Sequence, residues 1–512
     1  MKRRTFLESS LLMTSGLGLD TYAKGEAREE SAQAKKPHVI LIMTDQHRGD
    51  ALGCMGNSAV MSPNLDNLAK EGTLFVNAYS ASPSSTPART GLLTGMSPWH
   101  HGMLGYGQVA EKYIYEMPQM LRNLGYYTFG VGKMHWFPQK TLHGFHATLI
   151  DESGRVESKD FISDYREWFQ LHAPGENPDL TGIGWNAHAA GIYKLPENLH
   201  PTAWTGQTAC ELIQNYNCDK PLFLKVSFAR PHSPYDPPKR YLDMYKDVDI
   251  PKPSVGDWCG KYAERLDPEK ADPTAPFGNF GDEYAVNSRR HYYANTFIDD
   301  QIGQVIAALK EKGMYDNAII CFTADHGDML GDHYHWRKTY PYEGSTHIPY
   351  IVKWPAGMSK TVPSGTKIEQ PVELRDFLPT FIELAGGAVP PDMDGKSLLK
   401  LVQGRQNEWR KYLDMEHATC YSPDNYWCAL TDGKIKYVWN FHTGKEELFD
   451  LQKDPKELVE CSGKPAYVAR LKEMRQAMVE HLTERGETFV KDGKLVARET
   501  TMLYSPNYPQ KK

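Results

Sequence analysis

The 512-residue sequence predicts an α/β protein: a mainly parallel sheet sandwiched by helices, followed by a smaller C-terminal α+β subdomain with an antiparallel sheet. Short apolar runs, typical of strands buried on both faces, alternate with amphipathic helical patterns, as in parallel sheets. Residues 38–44 (HVILIMT) are the clearest such run. From about residue 409 the pattern changes to short strands separated by Asp-Gly and Thr-Gly turns, which indicates an antiparallel meander.

The first half of the larger domain is predicted from residue 38 to residue 201. After the first strand we expect a helix at 63–72, an aromatic segment at 74–79 and a helix that begins near Ser85, where Pro87 suits the first turn. A helix at 116–124 ends at Gly125 and precedes a strand at 128–131. Residues 137–201 are irregular and too long for a simple connection, so we expect them to form a pocket wall.

The second half repeats the alternation of helices and strands. We expect helices at 203–216, 288–312 and 374–385, strands at 222–228, 318–323 and 348–353, and an irregular insert at 251–279. In the C-terminal subdomain the predicted strands are 426–431, 434–440 and 447–450, and a final amphipathic helix at 466–483 covers them.

The first residues indicate export. Lys2-Arg3-Arg4 precedes a modest apolar run that ends in small residues near Ala23, which predicts an export signal at 1–23. The run is too short to be a transmembrane segment. Arg3-Arg4-x-Phe6-Leu7 resembles a twin-arginine signal, so we expect a periplasmic protein. The predicted domains are then a flexible lead-in at 24–36, the larger domain at 37–405 and the C-terminal subdomain at 406–512.

Composition excludes several function classes. With 24% charged and 11% aromatic residues the chain is not disordered, and a net charge of -6 without a basic stripe argues against nucleic-acid binding. Eight cysteines without a close CxxC pair disfavour a thiolate zinc site, and Cys420 and Cys428 are either paired or free. A local cluster of cations must therefore hold any anionic substrate.

Polar residues follow strand after strand. Asp45-Gln46, Lys133-x-His135, His232 and Asp325-His326 each come directly after a predicted strand, and the carboxyl ends of parallel strands form the site in such sheets. Asp45, Gln46, Asp325 and His326 offer mostly oxygen ligands, which suits Ca²⁺, while the imidazole allows Mn²⁺. Read singly, a strand-end Asp is also a common helix cap.

Ser85-x-Pro87-x-Arg89 places a hydroxyl where a helix N-terminus attracts anions. Taken alone, this motif is more simply interpreted as an ordinary capped helix. Arg89, Lys133, His135 and Lys338 would surround an anion with positive charge, and His232 would serve as general acid toward a leaving oxygen.

The spaced set resembles the formylglycine-dependent sulfatases of the alkaline-phosphatase-like superfamily over nearly the whole mature chain. The motifs are Asp45-Gln46, Ser85-x-Pro87-x-Arg89, Leu93-Thr94-Gly95, Gly132-Lys133-x-His135, Pro231-His232, Asp325-His326-Gly327 and Lys338. The resemblance implies that an anaerobic-type maturating enzyme oxidises Ser85 to formylglycine (3-oxoalanine) in the cytoplasm, before export. It also implies five metal ligands: Asp45, Gln46, Ser85, Asp325 and His326. By the same resemblance Arg89 and Lys133 stabilise the hydrate, Lys338 and His135 bind sulfate, and His232 protonates the leaving alcohol.

Two positions depart from the family pattern. The family commonly has Asp-Asp at Asp45-Gln46 and often Asn at His326, and the Gln/His version also resembles phosphonate and phosphate monoester hydrolases. A hydrolase of that kind is therefore one alternative. A non-catalytic glycan-binding protein with an unmodified Ser85 is another, although such a module needs neither a metal set nor His232.

The substrate follows from a narrower resemblance, to bacterial carbohydrate sulfatases. Gly-Lys-Met-His-Trp and the Trp-rich insert after Trp136 resemble enzymes that remove 2-O-sulfate from terminal, often unsaturated, hexuronates of heparin or chondroitin fragments. A 6-O-sulfatase acting on an amino sugar, or another polysaccharide sulfatase, is the alternative. The candidates for binding the uronate carboxylate are His100, His101, His143, His335 and Arg337.

Overall fold

The computed structural model describes residues 35–153, 155 and 158–509, and an eight-stranded mixed sheet forms its centre. The strands occur in the order β5-β4-β6-β1-β7-β8-β2-β9, and only β8 runs antiparallel to its neighbours. Their bounds are β1 His38–Asp45, β2 Thr73–Phe75, β4 Tyr127–Gly132, β5 Ala147–Leu149, β6 Leu222–Pro231, β7 Ala318–Ala324, β8 Tyr350–Lys353 and β9 Thr366–Ile368. The predicted α/β architecture is confirmed.

Strand β1 shows why its sequence is almost wholly apolar. Val39, Leu41 and Met43 pack into the core on one face of the sheet, and Ile40 and Ile42 pack into the core on the other. Because successive side chains of a strand point to opposite faces, both phases of the alternation must be hydrophobic. Each such side chain contributes roughly 1.5–3 kcal/mol through burial.

Helices cover both faces of the sheet. One core is closed by α2 Ser85–Thr94, α4 Met117–Asn123, α11 Phe377–Leu384 and α12 Leu399–Val402. The opposite core is closed by α1 Pro63–Glu71, α6 Pro201–Asn215 and α9 Thr296–Glu311. The remaining helices are short or lie at the periphery: α3 Pro98–His101, α5 Asp164–His172, α7 Lys239–Asp243, α8 Asp282–Tyr293 and α10 Glu343–Thr346.

The structure differs from the sequence prediction in two helical regions. The single helix expected at 288–312 is two helices, α8 and α9, because Asn295 bonds through its side-chain amide to Tyr292 O and interrupts the helical ladder. The stretch 137–201, expected to be irregular, contains β5 and α5, and the Ser163 side chain caps α5 by accepting from Arg166 N.

An antiparallel sheet forms the C-terminal region, as predicted, but it has four strands, because residues 413–417 form a strand that was not predicted. Its strands are β11 Leu413–His417, β12 Trp427–Thr431, β13 Ile435–Asn440 and β14 Glu446–Asp450, and helix α13 Val468–Leu482 covers one face. The turn between β12 and β13 places Gly433 at φ 85°, while Asp432 Oδ1 accepts from Lys434 N and Ile435 N. Two-stranded pairs complete the fold: β3 Ala78–Tyr79 with β10 Val372–Glu373, and β15 Val490–Lys491 with β16 Lys494–Leu495.

The cysteines, the helix lengths and the N-terminal segment were the subject of the remaining sequence predictions. Cys420 and Cys428 are both free thiols, as are the other six cysteines. Within the described ranges, no helix is long and apolar enough to cross a membrane. The expected export signal at 1–23 and nearly all of the lead-in at 24–36 lie outside the described residues.

Candidate active site

The ends of four parallel strands meet at one edge of the central sheet. Asp45 ends β1, Lys133 follows β4, His232 follows β6 and Asp325 follows β7. The strand register brings them together: Thr44 pairs with Ala324, and Asp45 pairs with Pro231. The structure therefore assembles in space the polar residues that the sequence places after successive strands.

Ser85 lies at the first position of α2 and faces this edge. Its Oγ is 3.2 Å from Asp45 Oδ2 and 3.1 Å from His326 Nε2. The residue is only 1% exposed, so its hydroxyl lies within the site and away from bulk solvent. Its position at the start of a helix also gives it the favourable electrostatic field that anions prefer.

Arg89, one turn further along α2, ties the strand ends together. Its Nε donates to Asp325 Oδ2 at 2.9 Å and its Nη2 to Asp45 Oδ2 at 3.1 Å. Nη1 donates to Lys133 O and to Ser227 Oγ. All three nitrogens of this buried guanidinium therefore donate hydrogen bonds, and we expect it to hold the carboxylates in place.

Asp45 remains ionised although it is fully buried. Burial raises its pKa, but the positive charges of Lys133 and Arg89 outweigh that effect and hold the pKa well below its usual value. Lys133 forms a direct ion pair with Asp45, since its Nζ lies 2.7 Å from Asp45 Oδ2.

Asp45, Asp325 and His326 fit a divalent metal. Each offers one ligand atom, and these atoms all lie within 4.8 Å of one another. His326 Nδ1 faces Gly327 O at 2.9 Å, which places its proton on Nδ1 and leaves the Nε2 lone pair directed into the site. Burial lowers the pKa of His326, which favours this neutral form. Two carboxylates and an imidazole suit Ca²⁺ or Mn²⁺.

Gln46, next to Asp45, has an amide side chain whose orientation is set by its neighbours. Asp328 accepts a hydrogen bond from Gln46 Nε2, so the amide oxygen Oε1 must point the other way, where it accepts from Lys338 Nζ at 2.8 Å. The backbone of Gln46 adopts φ 63°, and its N donates to Asp325 Oδ1. Asp328 was not among the residues predicted from the sequence.

Cations and imidazoles line the pocket on the other side of Ser85. The cavity has a volume of about 180 Å³, and Lys133, His135, His232 and Lys338 line it. His232 Nε2 lies 2.8 Å from Lys338 Nζ, while His232 Nδ1 faces Ser233 O. Burial lowers the pKa of Lys338 to about 7, and burial together with Lys338 lowers the pKa of His232 well below its usual value.

Two segments of the C-terminal region contact residues next to Ser85 and Lys338. His417, at the end of β11, lies 2.8 Å from the hydroxyl of Ser84, the residue before Ser85. Trp427 Nε1 donates to Thr339 O, and Asn425 Nδ2 donates to Thr339 Oγ1, next to Lys338. The antiparallel sheet therefore contacts the chain neighbours of both Ser85 and Lys338.

Several pocket residues were missed by sequence reasoning. Tyr106, Arg155, Trp185 and Tyr421 line the cavity, and Arg155 bonds to His135 Nε2 and, at 2.6 Å, to Glu152 Oε2. Arg155 and Trp185 belong to the stretch 137–201, which was expected to form a pocket wall, so composition located the segment but not the residues.

Of the five substrate candidates, the structure brings only Arg337 to the cavity. His143 is buried against Glu116 Oε1 at 2.8 Å, and His335 lies among aromatic rings in a different cavity. His100 contacts Asp394 and Glu484, and its buried neighbour His101 has its Nδ1 bonded to Met103 N. These four histidines lie outside this cavity, so they are not in position to bind a second anion there.

Comparisons with known proteins agree with the geometry. A sequence model of the sulfatase family matches residues 37–388, and one described as "N-sulphoglucosamine sulphohydrolase, C-terminal" matches residues 331–484. An arylsulfatase of Clostridium perfringens is 38% identical over 475 residues, which cover 90% of this chain and 97% of that protein. A choline-sulfatase of Rhizobium meliloti is 31% identical over 451 residues, covering 84% of this chain and 83% of that protein.

More distant matches share the architecture. Human iduronate 2-sulfatase is 27% identical over 445 residues, covering 76% of this chain and 78% of that protein. The solved structure of BT4656 with D-glucosamine-2-N,6-O-disulfate has a TM-score of 0.70 at 22% identity, and the match covers 88% of this chain and 98% of that chain. The first family model spans more than half of the sequence, and the arylsulfatase is similar over nearly its full length. The chain belongs to the sulfatase family of sulfuric ester hydrolases.

Proposed function

We propose that the protein removes sulfate from a sulfated glycan, and that its substrate is the 2-O-sulfate of a terminal, unsaturated hexuronate from heparin, heparan sulfate or chondroitin sulfate. The observation that carries this proposal is the charge of the pocket. Among the described residues that line it there is no Asp or Glu, but there are four cationic side chains, Lys133, Arg155, Arg337 and Lys338, and two imidazoles, His135 and His232.

Arg337 is the group that suits a second anion on the substrate. Within the described part of the chain no carboxylate lies within ion-pair distance of it, its Nη1 donates to Thr274 O, and its buried Nε has no partner. Its guanidinium lies over the Tyr421 ring, 4.6 Å from the centroid, which fixes its orientation. A planar guanidinium held in this way is well suited to a carboxylate such as that of a uronate.

The relatives support the same class of substrate. An iduronate 2-sulfatase is among them, and the family model matching residues 331–484 is named after a sulfohydrolase of N-sulphoglucosamine. A choline-sulfatase is also similar, but choline is a cation, and a pocket lined by two arginines without a carboxylate disfavours it. An anionic sugar fits both the charge of the pocket and its aromatic walls, Tyr106, Trp185 and Tyr421.

We further propose the family's two prosthetic features for this chain. Ser85 becomes formylglycine through an anaerobic-type maturating enzyme, and Asp45, Gln46, residue 85, Asp325 and His326 hold one divalent metal, Ca²⁺ with Mn²⁺ as the alternative. A formylglycine hydrate supplies one hydroxyl to attack sulfur and a second whose deprotonation releases sulfate, and the metal supplies Lewis-acid charge. Maturation precedes export to the periplasm, and residues 37–405 act as the catalytic domain with 406–512 as its subdomain.

The chain's own residues then bind sulfate and move one proton. Lys133 Nζ and Lys338 Nζ neutralise the sulfate oxygens, the neutral imidazole of His135 hydrogen-bonds to them, and Arg89 keeps the carboxylates of Asp45 and Asp325 in place. In the resting pair the proton is on Lys338 Nζ and faces His232 Nε2. A bound sulfate ester favours protonation of His232, which then donates that proton to the leaving oxygen.

Sulfate release from unsaturated heparin and chondroitin disaccharides tests the proposal. Protein whose residue 85 is confirmed as formylglycine by peptide mass is given disaccharides with 2-O-, 6-O- or N-sulfate, together with a phosphate monoester. Release confined to 2-O-sulfated members is expected, and the variant Arg337→Ala should raise KM about tenfold for these but not for an aryl sulfate. Release from 6-O-sulfated members only, or faster phosphate release, contradicts the proposal. Lys140→Ala, an exposed lysine outside the cavity, is the matched control.

A further inference from the structure

A second cavity lies beside the catalytic pocket and belongs to no step of the proposed reaction. It has a volume of about 240 Å³ and lies between the insert 251–279 and the C-terminal sheet. The insert contributes three aromatic side chains, Trp258, Tyr262 and Phe277, each of which keeps part of its surface exposed. Long irregular segments that present exposed aromatic rings to a concave surface commonly bind ligands.

The aromatic wall is ordered by ring contacts. Tyr262 and Phe277 stack with centroids 4.6 Å apart and planes 8° apart, and Trp258 packs against Tyr342 at 4.4 Å. His335 completes this wall: its Nδ1 faces His333 O at 2.6 Å, so its Nε2 is left as a free acceptor. Burial lowers the pKa of His335 to about 3, which keeps this acceptor unprotonated.

The polar groups of this cavity are balanced in charge. Lys261 pairs with Asp424 at 2.6 Å, and Lys445 pairs with Glu447 at 2.6 Å. Asn440 bonds through its amide to Asp424 O, and no other charged side chain lines the cavity among the described residues. This composition differs from that of the catalytic pocket, whose lining includes several basic side chains but no carboxylate among the described residues. A ligand for the second cavity therefore needs hydroxyl groups and apolar ring faces more than it needs charge.

One layer of side chains separates the two cavities. Tyr421 lines the catalytic pocket and Tyr340 lines the second cavity, and their ring centroids are 6.2 Å apart. Ser422, the next residue after Tyr421, lines the second cavity, and its buried Oγ has no hydrogen-bond partner among the described residues. The two cavities are therefore neighbours, with the rings of Tyr421 and Tyr340 between them.

We propose that this second cavity binds an uncharged sugar ring of the same glycan, beyond the terminal unit whose sulfate is removed. The inference rests on the proposed glycan substrate. The stacked rings hold the apolar face of the sugar, and Asp424, Asn440 and His335 accept or donate hydrogen bonds to its hydroxyl groups. The insert 251–279 is then a determinant of preference for longer substrates.

Equilibrium binding to the Ser85→Ala protein separates this inference from turnover. Calorimetric titration with heparin- and chondroitin-derived disaccharides and hexasaccharides compares the parent with Tyr262→Ala and Phe277→Ala. We expect at least one hexasaccharide to bind about tenfold more tightly than its disaccharide, and each variant to remove most of that difference while the disaccharide Kd changes less than twofold. Tyr412→Ala, a partly exposed tyrosine on another face, is the matched control and should change neither value.

Three outcomes overturn the inference: the hexasaccharides bind no better than disaccharides, the variants leave the difference intact, or they weaken both ligands equally. Turnover of a small aryl sulfate by formylglycine-carrying Tyr262→Ala, within twofold of the parent, verifies that the catalytic pocket is intact. If the proposed function is wrong, the result is a different one: the matured enzyme releases sulfate from none of the disaccharides. A length-dependent affinity that needs Tyr262 supports the second site even in that case.

Discussion

Replacing Lys225 with methionine should stabilise the protein, and the gain should depend on pH. Lys225 lies on β6 beneath Arg89, in a crevice lined by Trp136, Phe145 and Phe223, and it is 5% exposed. Within the described part of the chain no carboxylate lies within ion-pair distance of its ammonium, which is 5.4 Å from the Trp136 ring centroid. Burial, together with the charge of Arg89, lowers its pKa from 10.5 to about 7.

The size and sign of the effect follow from that pKa. A pKa difference of this size corresponds to about 5 kcal/mol of free energy, since one pKa unit is 1.36 kcal/mol. Between about pH 7 and 10.5 the unfolded chain binds one more proton at Lys225 than the folded protein does, so stability rises with pH across this window. Below pH 7 both states are protonated and the folded state carries the full penalty. Lys225→Met should therefore gain up to about 5 kcal/mol near pH 6 and almost nothing near pH 10.5.

Denaturant unfolding of the variant and the parent from pH 6 to pH 10 measures this difference. Lys70→Met serves as the control, because Lys70 is exposed and its replacement should change stability by less than about 0.5 kcal/mol at every pH. A gain from Lys225→Met that is the same at all pH values, or a loss at pH 6, refutes the reasoning. The first result would assign the effect to packing, and the second would mean that the ammonium has a stabilising partner.

Three further predictions concern the active site. His232→Ala should lower kcat about 10²–10³-fold on sugar sulfates but less than tenfold on 4-nitrophenyl sulfate, because its phenolate leaves without a proton. Equal losses on both substrates would contradict the role of His232 as general acid. Asp328→Asn should raise the Ca²⁺ concentration for half-maximal thermal stabilisation about tenfold, since it no longer fixes the Gln46 amide, and an unchanged midpoint would exclude this positioning role. Removal of metal with a chelator should lower the Tm and Ca²⁺ should restore it, because Asp45 and Asp325 lie close together; an unchanged Tm in a metal-free sample would argue against the site.

The sequence identified the parts of the site that are adjacent to regular structure. Asp45, Lys133, His232 and Asp325 could be placed because each follows an apolar strand, and parallel strands end at one edge. Strand β8 could be located but not oriented, since the apolar pattern of a buried strand is the same in both directions. The break between α8 and α9 was missed because apolar periodicity continues across Asn295, and only the contact of its side chain with the backbone ends the first helix.

The substrate side of the site was harder to predict, for a physical reason. Arg155 and Trp185 belong to a segment without periodicity, so nothing in the local pattern shows which side chains turn inward. The four discarded histidines were chosen by residue type, and a buried histidine is equally able to serve a structural carboxylate, as His143 does with Glu116. Asp328 could not be predicted for another reason: its role comes from the hydrogen bond that it accepts from the Gln46 amide, and only the structure shows that contact.

The hydrogen bond between Ser84 and His417 has a consequence for the order in which the chain is made. The two residues are 333 positions apart in the sequence, and a ribosome adding roughly 5–20 residues per second needs about 17–67 s to travel between them. During that interval every motif residue up to Lys338 has been synthesised, but the loop before Ser85 lacks its partner. A gene fragment that stops before codon 413 would therefore encode all the signature residues and still lack a completed site.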